Sequence, residues 1–115
     1  MLTVAELIQK AKPQIAKRNV NFPDGTKNEI LVKGLTAGEA SKEIEYMQSL
    51  TDDKGEFIGS NTQKFYAHCV SNRIVDENGN RVSTQAQCEE FDAKVLEALF
   101  KAAYEDVGAK NSPKK

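Results

Sequence analysis

Apolar residues open the chain at helical spacing: Val4, Leu7, Ile8, Ala11 and Ile15 recur every three or four positions. The spacing predicts an N-terminal helix over residues 1–18. Thr3 and Glu6 form its capping box, with Thr3 as N-cap and Glu6 as the third helical residue. Pro13 lacks an amide hydrogen and crowds the preceding turn, so it kinks or ends this helix near Lys12. Lys10, Lys12, Lys17 and Arg18 make the second half basic, a solvated face suited to a helix C-terminus.

From Asn19 the period shortens to two. Val20 and Phe22 alternate with polar residues, Pro23-Asp24-Gly25-Thr26 makes a turn, and Glu29-Ile30-Leu31-Val32-Lys33 follows as a strand-forming run. Asp-Gly between two such runs predicts a β-hairpin near residues 20–33. A lone hairpin is marginal in water, so it must pack on a helix or on another copy's strand. Thr36 and Glu39 then form a second capping box. Ala40, Ile44, Met47 and Leu50 mark the inner face of the helix it starts, and Glu39, Lys42, Glu43 and Glu45 its solvated outer face.

Residues 51–61 read as a polar loop with Gly55 and Gly59, and a short pairing at Phe57-Ile58. Asn61 or Thr62 caps a third helix running to about Ile74, with Phe65, Cys69 and Asn72 on one face and Tyr66, Val70 and Ile74 beside it. Residues 75–82 form a tight turn in which Asn78-Gly79 favours positive φ and a primed geometry. Thr84 and Gln87 box the start of a last helix. Its wide apolar stripe, Phe91, Val95, Leu96, Leu99, Ala102, Ala103 and Val107, ends at Gly108, a natural C′ residue. The sum is an α+β chain, mainly α, with about four helices and one small hairpin. Residues 19–108 form a single globular domain, and residues 109–115 a disordered tail.

Length and composition narrow the function rather than the fold. At 115 residues the chain is one domain, able to bury a core without disulfides or metals. Sixteen Lys and Arg against seventeen Asp and Glu leave a net charge of -1, which gives no general pull toward nucleic acid or an anionic membrane. It also gives little repulsion between copies, so self-association is expected. Mean hydropathy is -0.56, and no run approaches the ~18 apolar residues of a membrane span. The first residues lack a basic stretch followed by an apolar one, so secretion is not expected, and Cys69 and Cys88 read as reduced cytosolic thiols.

No catalytic, metal or cofactor site is expected. His68 and Cys69 are sequence neighbours, and neighbours on a helix do not face each other as a nucleophile and its base must. Two cysteines and one histidine without paired spacing do not make a zinc site. Residues 76–80 resemble a calcium loop, but its sixth and twelfth places hold Arg81 and Gln87 instead of Gly and Glu. The segment at Asp52-Asp53-Lys54-Gly55 fails the same test, and both read as turns. With no Trp and only eight aromatic residues, base stacking has little support.

The order of the elements carries a further signal. Val32-Lys33-Gly34-Leu35-Thr36-Ala37-Gly38-Glu39 joins a strand to a capped helix. Phe65 to Val70 leads into Val75-Asp76-Glu77-Asn78-Gly79-Asn80-Arg81-Val82, and Leu96-Glu97-Ala98-Leu99-Phe100-Lys101-Ala102-Ala103 lies in the closing helix. This resembles the tail assembly chaperones of long-tailed, non-contractile, lambda-like bacteriophages over about residues 20–108. The resemblance implies a protein of the infected bacterial cytoplasm, absent from the mature virion. It would bind and solubilise the helical tape measure protein and help recruit major tail protein. It also implies a longer, frameshift-extended form of the chain, for which the codons of Lys114 and Lys115 offer a slippery run.

A holdase of this kind needs exposed apolar surface rather than chemistry, and a helix-in-groove contact suits a helical client. The candidate client or self-association surface is Phe65, Tyr66, Phe91, Val95, Leu99 and Phe100. A homo-oligomer is expected from the near-neutral charge, the free hairpin edges and an N-terminal helix able to dock on a neighbour. The alternative reading is a structural virion component, such as a head–tail connector or tail completion protein. A helix-turn-helix regulator is disfavoured by the long segment joining the last two helices and by the lack of a basic final helix.

Overall fold

Three capping boxes punctuate the chain, and each starts a helix where the sequence places it. The computed structural model describes residues 1–104. Their elements are α1 (Val4–Ala11), β1 (Ile15–Asn21), β2 (Lys27–Lys33), α2 (Ala37–Leu50), α3 (Asn61–Arg73), β3 (Ile74–Val75), α4 (Gln85–Glu89) and α5 (Ala93–Tyr104). The fold is α+β and mainly α, with a three-stranded antiparallel sheet in the order β1-β2-β3. Thr3, Thr36 and Thr84 each accept a hydrogen bond from the third helical amide, whose Glu or Gln side chain accepts one in return from the cap. At the second box the amide of Thr36 holds the Glu39 carboxyl below its ordinary range. Partial burial opposes this, and Lys33 at 3.6 Å adds to it.

The N-terminal helix is shorter than its apolar spacing predicts. It ends at Ala11, and Ile15, Lys17 and Arg18 lie in β1 instead. Pro13 is the cause, because it forces Lys12 into an extended conformation (φ -69°, ψ 141°) and offers no amide to a further turn. Once extended, residues 15–21 pair with all of 33–27, from Ile15↔Lys33 to Asn21↔Lys27. The hairpin therefore spans residues 15–33, and the sheet begins four residues before the expected domain boundary at Asn19. Ala16, Arg18 and Val20 turn toward the helices, while Ile15, Lys17 and Asn19 face outward.

One turn geometry closes three hairpins. At residues 22–26, 52–56 and 76–80 the first amide donates to the fifth carbonyl, and the glycine amide in fourth place donates back to the first carbonyl. Gly25, Gly55 and Gly79 have φ of 91°, 81° and 84°, and no other residue type among those described has positive φ. Asn78 is thus not in the primed turn that Asn-Gly suggests. The arrangement is a three-residue loop with its glycine in the left-handed region. Asp52 and Asp76, the would-be calcium ligands, each aim Oδ1 at two amides of their own turn. Short bridges follow, Thr51↔Phe57 and Val75↔Arg81, the first of them the pairing expected near Phe57.

Two further departures come from single polar residues. The apolar stripe of the last helix is broken at Glu90–Asp92. Asp92 Oδ1 accepts the amides of Lys94 (2.9 Å) and Val95 (3.3 Å), so it caps α5 and separates it from the short α4. Five helices result among the described residues; the expected end at Gly108 and the tail 109–115 lie outside them. In α2 the inner face is Glu43, Tyr46, Met47 and Leu50, and Ile44 is half exposed. Glu43, expected on the solvated face, is only 6% exposed.

Glu43 is buried because Arg73, at the end of α3, meets it with both guanidinium nitrogens. Nη2 lies 2.9 Å from Oε1, and Nη1 contacts Oε2. The planar fork matches the carboxylate. Burial pulls Arg73 toward its neutral form, but the Glu43 hydrogen bonds and charge outweigh it and hold the guanidinium above its ordinary value. The pair clamps α2 to α3, and removing one partner strands a buried charge. Glu43→Ala or Arg73→Ala is expected to cost about 3 kcal/mol, and a Glu43→Leu/Arg73→Met double variant much less than the sum. Equilibrium denaturation with urea measures all three.

Candidate binding surface

α3 and α5 lie side by side, and their aromatic residues make a continuous ladder. The Tyr66 and Phe100 rings stack with centroids 4.0 Å apart and planes at 17°; Phe100 and Tyr104, one turn apart on α5, stack at 4.9 Å and 19°. Phe65 closes the ladder from below, edge-on to Phe100 at 6.2 Å and to Tyr104 at 6.4 Å, with Phe57 on its far side at 5.5 Å. Such offset and edge-on pairs contribute about 1 kcal/mol each beyond the area they bury. The Arg73 guanidinium sits over the Tyr104 ring, 4.8 Å from its centroid. The Glu43–Arg73 clamp therefore also fixes the exposed end of the ladder.

Burial sorts the six sequence candidates. Phe65 and Leu99 are core residues. Leu99 sits among Val20, Val32, Val70 and Leu96; Phe65 sits with Leu50 and Cys69. Val95 packs against the first of these clusters, and Tyr66 and Phe100 bridge both. Phe91 stands apart at the α4–α5 corner, 37% exposed and in neither cluster. The structure thus brings Phe65, Tyr66 and Phe100 together, with Phe91 outside their ladder. Tyr104, 44% exposed, is the ladder member that sequence reasoning missed. Its i+4 spacing from Phe100 was the available signal.

The largest apolar exposure lies elsewhere. α1 has no buried residue, and Met1, Leu2, Val4, Leu7 and Ile8 are all more than half exposed. The stripe that predicted the helix is real, but none of the described residues covers it.

The polar groups are occupied with structure. Asn72 donates to His68 Nε2 at 3.0 Å, which leaves Nδ1 facing the Gln85 carbonyl oxygen at 3.3 Å. The Gln85 amide reaches the Tyr46 hydroxyl at 2.9 Å, and the Tyr46 and His68 rings lie 4.6 Å apart. This network ties α2, α3 and α4 together. Cys69 is fully buried, and burial, reinforced by the Glu43 charge, pushes its thiol well up. Burial also raises Cys88, against a 3.1 Å contact with the Ser83 hydroxyl. Among the described residues no three His, Cys, Asp or Glu side chains gather closely enough to hold a metal ion, and no helix is long and apolar enough to cross a membrane.

No protein-family model, curated protein or solved structure matches the chain. The split between core and surface is directly measurable. Leu99→Ala should cost about 2–5 kcal/mol and Phe65→Ala about 3–5 kcal/mol, whereas Phe91→Ala should stay within about 1 kcal/mol of wild type. Thermal denaturation followed by circular dichroism reads the difference.

Proposed function

We propose that this chain is a tail assembly chaperone of a long-tailed, non-contractile bacteriophage. It acts in the cytoplasm of the infected bacterium and leaves no copy in the mature virion. It is a binding protein, not an enzyme. It holds the tape measure protein soluble, helps bring major tail protein to it, and associates with itself, including any frameshift-extended form.

The observation that carries this reading is apolar surface displayed on a well-anchored domain: the α1 stripe, the outer part of the Tyr66–Phe100–Tyr104 ladder, and Phe91. A holdase requires such surface to be exposed yet backed by a core that does not depend on it. The segments behind the resemblance also fall on definite elements. Val32 to Glu39 carries β2 into the capping box of α2, residues 75–82 form one of the three glycine turns, and Leu96 to Ala103 is the body of α5. A helical client would lie along the ladder as a helix in a groove, its apolar residues against the exposed ring faces.

The test is a pull-down of the proposed client, the tape measure protein, which this reading expects to be a long helical protein. Wild type should retain it, and Phe91→Ala should weaken retention at least tenfold while melting within a few degrees of wild type. Mass spectrometry of purified particles separates the structural alternative: a chaperone is missing, whereas a connector or completion protein appears at ring-like copy number. The latter result would overturn the chaperone reading.

A further inference from the structure

An apolar groove opens between the end of the hairpin and α2. Its volume is about 460 Å³, and its apolar walls come from Ala16, Val32, Leu35, Ala40, Ile44 and Ala103. A cavity of about 150 Å³ takes a benzene-sized group, so this one has room for about three aliphatic side chains. Arg18 also lines it.

The same chain carries a helix that none of the described residues covers. Helices as short as the eight-residue α1 do not persist alone in water, so its apolar stripe calls for a partner. Its own groove is out of reach. Only Lys12, Pro13 and Gln14 separate α1 from β1, and Lys12 is extended. The Gln14 carbonyl is tied to the Gly34 amide at 3.0 Å, on the groove's rim. A reversal takes about four residues; these three begin with an extended Lys12 and end on a tied Gln14 carbonyl, and α1 has no buried residue against its own domain.

We propose that α1 docks in this groove of a second copy, and that two copies exchange α1 reciprocally. Val4, Leu7 and Ile8 fill the groove beside Ile44, which is itself half exposed. Area favours exchange over one-way docking. The three side chains that enter the groove bury about 100 Å² each, so one docked helix removes about 600 Å² from water counting both sides, too little for a stable pair. Two helices in two grooves remove about 1,200 Å², which reaches the lower end of the range of stable interfaces. This deepens the self-association in the proposed function and does not depend on the identity of the client.

Sedimentation velocity of the full chain over a wide concentration range, together with a crosslink, tests it. Wild type should sediment as a dimer. Leu7→Asp and Ile44→Asp, both at half-exposed positions, should each leave monomers with unchanged circular dichroism. Mixing an Ile8→Cys variant with an Ile44→Cys variant should give an oxidised heterodimer, which neither variant gives alone. Wild type remaining monomeric, a dimer that survives either aspartate, or no crosslink on mixing would overturn the proposal. Pull-down of the long helical protein by the aspartate variants is scored separately, so that failure of exchange and failure of client binding are told apart.

Discussion

Burial of α3 on every side is the constraint on which the rest of this structure depends. Phe65, Ala67, Cys69, Val70 and Ser71 are all inside, which is more than one helix face. Such a helix needs cover all round. The sheet covers one side through Val32 and Ile74, α5 another through Leu96, Leu99 and Ala103, α2 a third through Met47 and Leu50, and α4 a fourth through Cys88. Arg73 closes the end of α3 against Glu43, and the His68–Gln85–Tyr46 network closes its middle. Three glycine turns keep the connections short enough for these covers to sit where they do.

Local signals were legible where a few neighbouring residues decide the outcome. All three capping boxes stand where Thr3, Thr36 and Thr84 precede a Glu or Gln, and the hairpin forms around Asp24-Gly25. What was not legible depends on partners distant in sequence. Ile15 fits a helical stripe and a strand equally well, and seven pairings with β2 decide for the strand. Glu43 lies among charged residues and looks solvated until Arg73, thirty positions on, comes beside it. Ile44 looks like core by spacing, yet α2 is rotated so that Glu43 takes the inner place. Asp92 was a local signal of a different kind, an N-cap hidden inside an apolar stripe that otherwise reads as one helix.

The binding surface follows the same division. Half of the expected patch, Phe65, Val95 and Leu99, is spent on holding α3 and α5 together; Tyr66 and Phe100 serve both the core and the surface. Tyr104 and Phe91 remain outside, and α1 is wholly outside. The lean apolar content of the chain thus divides between a core closed around α3, to which the ladder is joined, and α1, which that core does not need.

Amide hydrogen exchange on a dilute, monomeric sample tests that division most directly. The α3 amides should be protected to the level of global unfolding, and the α1 amides should exchange close to the rate of an unstructured peptide. Protection of α1 equal to that of α3 in the monomer, or loss of α3 protection before that of α2 and α5, would contradict it.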